Sequence, residues 1–361
     1  MRTAAPNTRV CDTEEAVLRE IAAHAAEADA GVRDLSADMG LLGRHGLLDR
    51  LVSTAADPRD SVTLLRRIGR ASLSVGRLAE GHMNALRLVQ LYGSDSQCRR
   101  VWAAARAGTI HGVWGADGSP GVTLAMRIGR RGRLAGQKRF CSGLGVVGAV
   151  VLTARTDQGT QLVLADSGDP HRADASAWQV SGMRATASGS YDFDGVEAET
   201  LGSPGDYERE PHFQGGVWRY AALHVGGLEA LAEAVRAGVA DRGDAASEAQ
   251  LHRVARIATL AHGARLLVED AARQVEAPGA REAAVALSLA AREAVEQACL
   301  DGIAIADRAL GTRAFAEPSL PDRVRRDLSF FLRQADLDGK LTQVGRSLCS
   351  ADRPVGEVWG S

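Results

Sequence analysis

The chain has 361 residues, which is enough to bury a large core in two or three domains. Its formal net charge is -2 and its basic residues are dispersed, which argues against nucleic acid or an anionic membrane as the main partner. The five cysteines are scattered without metal-ligand spacing, and no apolar run reaches the ~20 residues of a membrane span. We therefore expect a cytoplasmic protein without a resident metal.

Helical periodicity at both ends of the chain flanks a glycine-rich middle part. Residues 1–108 carry amphipathic patterns, and the longest apolar one contains His82, which a packed helix position explains as well as a site does. In residues 109–204, β-branched runs alternate with turns and predict a small β-barrel or sandwich. Helical patterns return in residues 205–361 and predict a four-helix bundle, in which Gly226–Gly227 marks a close helix crossing. The predicted fold class is α+β, mainly α, in three domains with these boundaries.

One stretch of the middle part combines an aromatic ring with a hydroxyl group, GQKRFCSG at residues 136–143. Phe140 and Ser142 are two residues apart, and alternate residues of a strand share one face. Such a face can stack on a planar ring system and donate one hydrogen bond to its edge. A core phenylalanine and a turn serine would give the same pattern.

Three segments of the middle part resemble the central β-domain of the acyl-CoA dehydrogenase family. They are GVWGADGSPG (112–121), GQKRFCSG (136–143) and WQVSGMRATASGSYDFDGV (178–196), in the family's order and approximate spacing. The helical patterns on both sides extend the resemblance to nearly the whole chain. The resemblance implies the family's fold, with an N-terminal helical domain, a central β-barrel domain and a C-terminal four-helix bundle, and it implies FAD as the cofactor.

The resemblance also assigns residues of this chain to the flavin. Main-chain N–H groups of the glycine-rich segment would face the pyrimidine edge, an aromatic ring would stack on the isoalloxazine, and a hydroxyl would bond N5. The adenine half would receive two arginines of a neighbouring subunit, which implies a homodimer or homotetramer, although the second arginine could also be a surface charge. In chain order these residues are Gly115, Ala116, Gly121, Val122, Phe140, Ser142, Arg242 and Arg308.

The family's catalytic base is missing from both positions where the resemblance places it. That base is a glutamate that removes the α-proton of an acyl thioester. One position matches Ala335, and the other matches Trp218, which precedes the family's arginine at Arg219. The nearest substitute is Asp336, which a one-residue shift of its loop would bring into place, and Glu210 is more remote. Asp336 and Arg219 are therefore the catalytic candidates, although a loop acid or a helix cap is the more ordinary explanation of Asp336.

Three functions remain open on this sequence. The first, which we take as the expectation, is α,β-dehydrogenation of an acyl thioester, bound to CoA or to a carrier protein, with a relocated or missing base and an unknown electron acceptor. The second is a flavin-dependent monooxygenase on the same fold, which acts on another small molecule and needs no α-proton base because reduced flavin reacts with O₂. The third is a non-catalytic relative that keeps the fold for assembly, since fold alone does not fix function.

Overall fold

The computed structural model describes residues 8–53, 57–334 and 336–360. Helices form the first part of the chain, in which apolar faces pack on one another around a shared core. Two of them begin with a serine whose side chain accepts a backbone N–H, as expected of helix caps. The helices are α1 (Thr8–Asp29), α2 (Ser36–Arg44), α3 (Leu47–Val52), α4 (Pro58–Ala71), α5 (Leu73–Tyr92) and α6 (Asp95–Arg106).

The strands of the middle part form a small barrel and a separate short sheet. β5 pairs with β6, β6 with β9, β9 with β3, β3 with β2, and β2 again with β5, so that these five strands form a closed barrel. β1 pairs with the first part of β5, from Val147 to Leu152. β8 joins β4 and β7 in the short sheet. The strands are β1 (Ile110–Trp114), β2 (Thr123–Ile128), β3 (Arg131–Ala135), β4 (Gln137–Cys141), β5 (Val147–Thr156), β6 (Gly159–Asp166), β7 (Ala173–Asp174), β8 (Gly189–Asp192) and β9 (Glu197–Leu201).

Helices return after the barrel, and the three longest pack side by side. The start of α7 lies at one end of this bundle together with the end of α8 and the start of α9, where Ser288 donates to the carbonyl of Gly215. No helix of the described chain is both long and apolar enough to cross a membrane. The helices are α7 (Trp218–Ala240), α8 (Glu248–Val275), α9 (Glu282–Leu310), α10 (Leu320–Phe331), α11 (Leu337–Ser350) and α12 (Val355–Val358).

A close crossing of α4 and α7 joins the first and last groups of helices. A Cβ atom at Gly226 would lie 2.1 Å from the carbonyl oxygen of Arg66, so the two backbones touch where only glycine fits. This confirms the crossing that the Gly226–Gly227 pair predicts. α6 ends at Arg106 and β1 begins at Ile110, whereas β9 ends at Leu201 and α7 begins at Trp218. The division into three domains with boundaries at residues 108 and 204 stays a prediction.

A second junction ties α10 to α1 and to the loop before β8. The guanidinium of Arg326 pairs with Asp29 at 2.6 Å and donates to the carbonyl of Ser181 at 3.0 Å. The buried carboxylate of Asp327 accepts the N–H of Met183. Burial raises the pKa of Asp327 to about 6. Arg326 and Asp327 together therefore connect α10 to α1 and to the loop before β8.

Candidate functional site

A cavity of about 410 Å³ lies between one face of α5, the start of α7 and the loop after β1. The loop contributes Gly115 and Ala116, two of the residues assigned to the flavin by resemblance. The helix α7 contributes Arg219, which is one of the two catalytic candidates. The structure thus places these three predicted residues around one cavity.

A buried lysine fixes the loop after β1. The ammonium group of Lys138 donates to Asp117 Oδ1 at 2.6 Å, to the carbonyl of Gly115 at 3.1 Å and to Thr153 Oγ1 at 2.8 Å. The Lys138 side chain is fully buried, and burial lowers its pKa against the opposing effect of Asp117. Asp117 also accepts the N–H of Val122 at 3.2 Å, so this predicted amide donor is already used within the loop.

Gly121, the remaining predicted donor of this loop, packs against the Asp117 side chain, where a Cβ atom would lie 2.9 Å from the carboxyl carbon. It is not among the described residues that line the cavity. The half of the loop that contains Gly115 and Ala116 therefore faces the cavity, whereas the half that contains Gly121 and Val122 supports it.

Phe140 and Ser142 reach this region by a backbone path that differs from the predicted one. The strand β4 ends at Cys141, and its pairing with β8 is irregular between Lys138 and Cys141. Phe140 has a positive φ of 54°, which breaks the strand alternation, and Ser142 lies in the turn that follows. The prediction that the two side chains share one strand face is therefore wrong.

The two residues are not among the described residues that line the cavity, but hydrogen bonds connect their segment to β1 and to the loop after it. The ring of Phe140 is 58% exposed, and the N–H of its neighbour Arg139 donates to the carbonyl of Ala116 at 3.0 Å. Ser188 Oγ donates to the half-buried Ser142 Oγ at 3.2 Å, which leaves the Ser142 hydroxyl hydrogen to point elsewhere. An exposed aromatic face and a spare hydroxyl donor beside the cavity loop could hold the isoalloxazine ring.

The arginines assigned to the adenine half lie at the far end of the bundle. Arg242 follows the end of α7 and Arg308 lies in the last turn of α9, and both are exposed. The ends of these helices meet, because a Cβ atom at Gly238 would touch the Leu310 side chain. The 1.5 Å rise per residue of α7 puts Arg242 roughly 35 Å from Arg219. Within one chain these arginines are therefore far from the end of the cavity that Arg219 lines.

The polar face of α5, which was not predicted from the sequence, lines the cavity with Arg77, Glu80, Asn84 and Arg87. These residues follow one another at intervals of three or four, which places them on one face of a helix. Glu80 accepts from Arg77 on one carboxylate oxygen and from Asn84 on the other. The spacing was visible in the sequence as a polar stripe in an otherwise apolar helix.

His82 lies on a different face of α5, away from the cavity. It is buried, and its Nδ1 accepts the backbone N–H of His111 at 3.0 Å. Burial lowers the pKa of His82 to about 3, so the imidazole is neutral. The packed-position alternative for His82 is thus the one that the structure supports. The described residues contain no cluster of three or more His, Cys, Asp or Glu side chains that could hold a metal ion.

Arg219 belongs to an ion-pair cluster at the α7 end of the cavity. Its Nη2 donates to Glu276 Oε1 at 2.7 Å, and Arg87 donates to the other oxygen of Glu276 at 2.8 Å. Burial acts to raise the pKa of Glu276, but Arg219 and Arg87 outweigh it and the pKa is lowered. Trp218, at the family's second base position, is buried in the core and presents no acid.

The first catalytic candidate, Asp336, is exposed at the start of α11 with a φ of 59°. It is not among the described residues that line the cavity, although Gln334 and Lys340 on either side of it are. Ala335 lies outside the described residues. Glu210 accepts the backbone N–H groups of Gln214 and Gly215 at 3.0 and 3.2 Å, which commits both of its carboxylate oxygens to the turn before α7.

No family model and no curated protein matches this chain. Among solved structures, TdsC from Paenibacillus sp. A11-2 with FMN and indole is 19% identical to this chain with a TM-score of 0.81. The match covers 98% of this chain and 100% of the TdsC chain. The same enzyme is described as a dibenzothiophene monooxygenase. KijD3 with FMN and a dTDP-linked amino-keto sugar is 18% identical with a TM-score of 0.82, over 99% and 97% of the two chains.

The methanesulfinate monooxygenase MsuC from Pseudomonas fluorescens is 20% identical with a TM-score of 0.78, over 99% of this chain and 100% of its own. At these identities the likeness shows the fold alone. The fold is mainly helical with a small β-barrel and is consistent with the acyl-CoA dehydrogenase-like fold that the sequence resemblance implied.

Proposed function

We propose that the protein is a flavin-dependent monooxygenase, an oxidoreductase that inserts one oxygen atom of O₂ into a small molecule held in the cavity. The observation that carries this proposal is that both oxygens of the carboxylate lining the cavity are already hydrogen-bonded. Among the described lining residues Glu80 is the sole carboxylate, and Arg77 and Asn84 occupy both of its oxygens. Dehydrogenation of an acyl thioester needs a carboxylate that is free to accept the α-proton.

When bound, reduced flavin would supply the electrons and react with O₂, and the protein would bind, orient and shield the reactants. The Ser142 hydroxyl would donate to the edge of the ring and the exposed face of Phe140 would cover one side of it. Part of the cavity lining is apolar, including Leu88, Leu91 and Val113, and this part would exclude water from the substrate. The substrate and O₂ would become the oxygenated product and water as the flavin is oxidised.

The ring-binding residues suit FMN and FAD equally, because both carry the same isoalloxazine. FAD remains our prediction from the sequence resemblance, and it requires Arg242 and Arg308 of a second subunit in a homodimer or homotetramer. FMN is the flavin in the TdsC and KijD3 structures. Chromatography of the flavin released from the purified protein, together with its mass in solution, distinguishes the two.

A specific observation favours a second candidate, the dehydrogenation of an acyl thioester with Asp336 as base. Gln334 and Lys340 line the cavity on either side of Asp336, so a rearrangement of this short loop would turn the carboxylate inward. Asp336→Asn would then abolish the reaction with acyl thioesters. The same substitution would leave a monooxygenase reaction unchanged.

The test separates the two reactions on one preparation of flavin-loaded protein. Under anaerobic conditions we expect no bleaching of the flavin absorbance by a panel of acyl-CoA thioesters. After chemical reduction and mixing with O₂, we expect the bound flavin to reoxidise with H₂O₂ release that lags behind that of free flavin. If a thioester bleaches the flavin absorbance and Asp336→Asn abolishes this bleaching, the protein is a dehydrogenase and the monooxygenase proposal is wrong.

A further inference from the structure

Two guanidinium groups face the cavity while the carboxylate that pairs with them lies behind. Of the described residues, Arg87 and Arg219 line both the main cavity and a smaller one of about 140 Å³ on their other side. Glu276 lines the smaller cavity but not the main one. A molecule in the main cavity therefore meets the two cations first.

The buried guanidinium of Arg219 has a donor that is not used in any hydrogen bond. The residue is only 5% exposed, and its Nε has no hydrogen-bond partner. Buried polar atoms are satisfied in the great majority of cases, so this unpartnered nitrogen shows that the pairing with Glu276 does not use the full donor capacity of the guanidinium. Its position depends on a glycine, because a Cβ atom at Gly216 would lie 2.5 Å from Arg219 Nη1.

The charges around the cavity leave this end positive. Arg77 is paired with Glu80, whereas Arg87 and Arg219 share the single carboxylate of Glu276. The cluster of these last three residues therefore keeps one positive charge, because arginine stays protonated in proteins.

The other basic groups of the lining do not change this balance at the α7 end. Burial lowers the pKa of His212. Glu276 acts to raise this pKa, whereas Arg87 and Arg219 act to lower it further, and the imidazole is neutral at pH 7. Lys340 enters the cavity from α11; burial lowers its pKa, and Asp336 acts in the opposite direction. At the α7 end, the excess charge is located at Arg87 and Arg219.

We propose that Arg87 and Arg219 form an oxyanion subsite and that the substrate is a small organic acid, held by its carboxylate or sulfonate-type headgroup. A guanidinium fork matches such a group in shape and charge, and one monoanion would neutralise the cluster. The apolar lining of Leu88, Leu91 and Val113 would receive the rest of the molecule. This substrate class rests on the proposed function, whereas binding of the acid does not require flavin.

The test is calorimetric titration of the full-length protein, with and without flavin, using two acids and their neutral counterparts. The probes are benzoate with benzamide, and benzenesulfonate with benzenesulfonamide. The variants are Arg87→Met and Glu276→Gln, with Arg236→Met as the matched control. Arg236 lies on α7, is largely exposed and pairs only with Glu233 in its own helix.

We expect at least one acid to bind at least tenfold more tightly than its amide, because hydrogen bonds to an ionised oxyanion are stronger than those to a neutral amide. Arg87→Met should remove this preference, Glu276→Gln should strengthen acid binding several-fold, and Arg236→Met should change nothing. The opposite signs of the first two effects separate a binding role from loss of folding.

Acids that bind no better than their amides, or a preference that survives Arg87→Met, would overturn the subsite. Flavin affinity is measured separately in the same preparations. Acid binding without flavin binding would uphold the subsite and refute the monooxygenase, and the reverse result would refute only the subsite.

Discussion

The link between Lys138 and Asp117 should determine the stability of the loop on which the proposed flavin site depends. In Asp117→Ala the buried ammonium of Lys138 would keep only the Gly115 carbonyl and the Thr153 hydroxyl as acceptors. A charge-assisted hydrogen bond contributes about 1.5–3 kcal/mol, and the Asp117 side chain is 41% exposed, so we take the lower part of that range. The N–H of the buried Val122 would also lose its acceptor, at a cost of about 1 kcal/mol.

We therefore expect Asp117→Ala to lower the free energy of unfolding by about 2–3 kcal/mol, measured by urea titration. The control is Asp157→Ala, an exposed acid in the turn between β5 and β6, for which we expect a change within about 0.5 kcal/mol. The same loop carries Gly115 and Ala116, so flavin affinity should fall with Asp117→Ala and not with Asp157→Ala.

A double-mutant cycle tests the reason for this effect. If an unpaired buried charge causes the loss, then adding Lys138→Met to Asp117→Ala should restore part of the stability, because the uncompensated ammonium is removed. Lys138→Met that lowers stability equally in both backgrounds would show that the two side chains are not coupled. That result would refute the account of the loop given above.

Two further predictions concern the two junctions of the fold. Gly226→Ala should lower the free energy of unfolding by about 3 kcal/mol or more, measured by thermal melts, because its methyl group overlaps the α4 backbone. Gly263→Ala, on α8 with open space around it, should raise the free energy of unfolding by about 0.5–1 kcal/mol in the same measurement. Burial raises the pKa of Asp327 from its ordinary 3.8 to about 6. Between these two pH values the folded protein keeps the Asp327 proton that the unfolded chain has lost, so the free energy of unfolding should fall as the pH rises from about 4 to 6. This part of the pH dependence should vanish in Asp327→Asn, measured by denaturation across that range; an unchanged slope would contradict the assignment.

The sequence predicted the parts of the site that are local in the chain. The Gly115–Ala116 loop and the Phe140–Ser142 segment are each a few residues long; the first lines the cavity, the second is tied to it through the hydrogen bond from Arg139 to Ala116, and their binding of flavin stays a prediction. The detailed reason was wrong for Phe140, because a positive φ and a strand irregularity replace the simple alternation. Neither feature has a signal in the residue types of GQKRFCSG.

The charged cluster could not be predicted, because its members are far apart in the chain. Glu276 lies 189 residues from Arg87 and 57 from Arg219, and only the packing of α5, α7 and α8 brings them together. The polar stripe on α5 did have a local signal in its helical spacing. Its partners, which convert the stripe into a cavity wall, depend on tertiary structure.

The measurement that tests the central claim most directly is equilibrium binding of FMN and of FAD to the purified protein and to two variants. We expect flavin binding by the natural sequence, and an affinity about tenfold lower in Phe140→Ala, because the ring loses its stacking surface. Ile128→Ala, which removes an 85% exposed side chain elsewhere in the same β-domain, should leave the affinity unchanged. A protein that binds neither flavin, or binds one equally well without Phe140, would contradict the site described above.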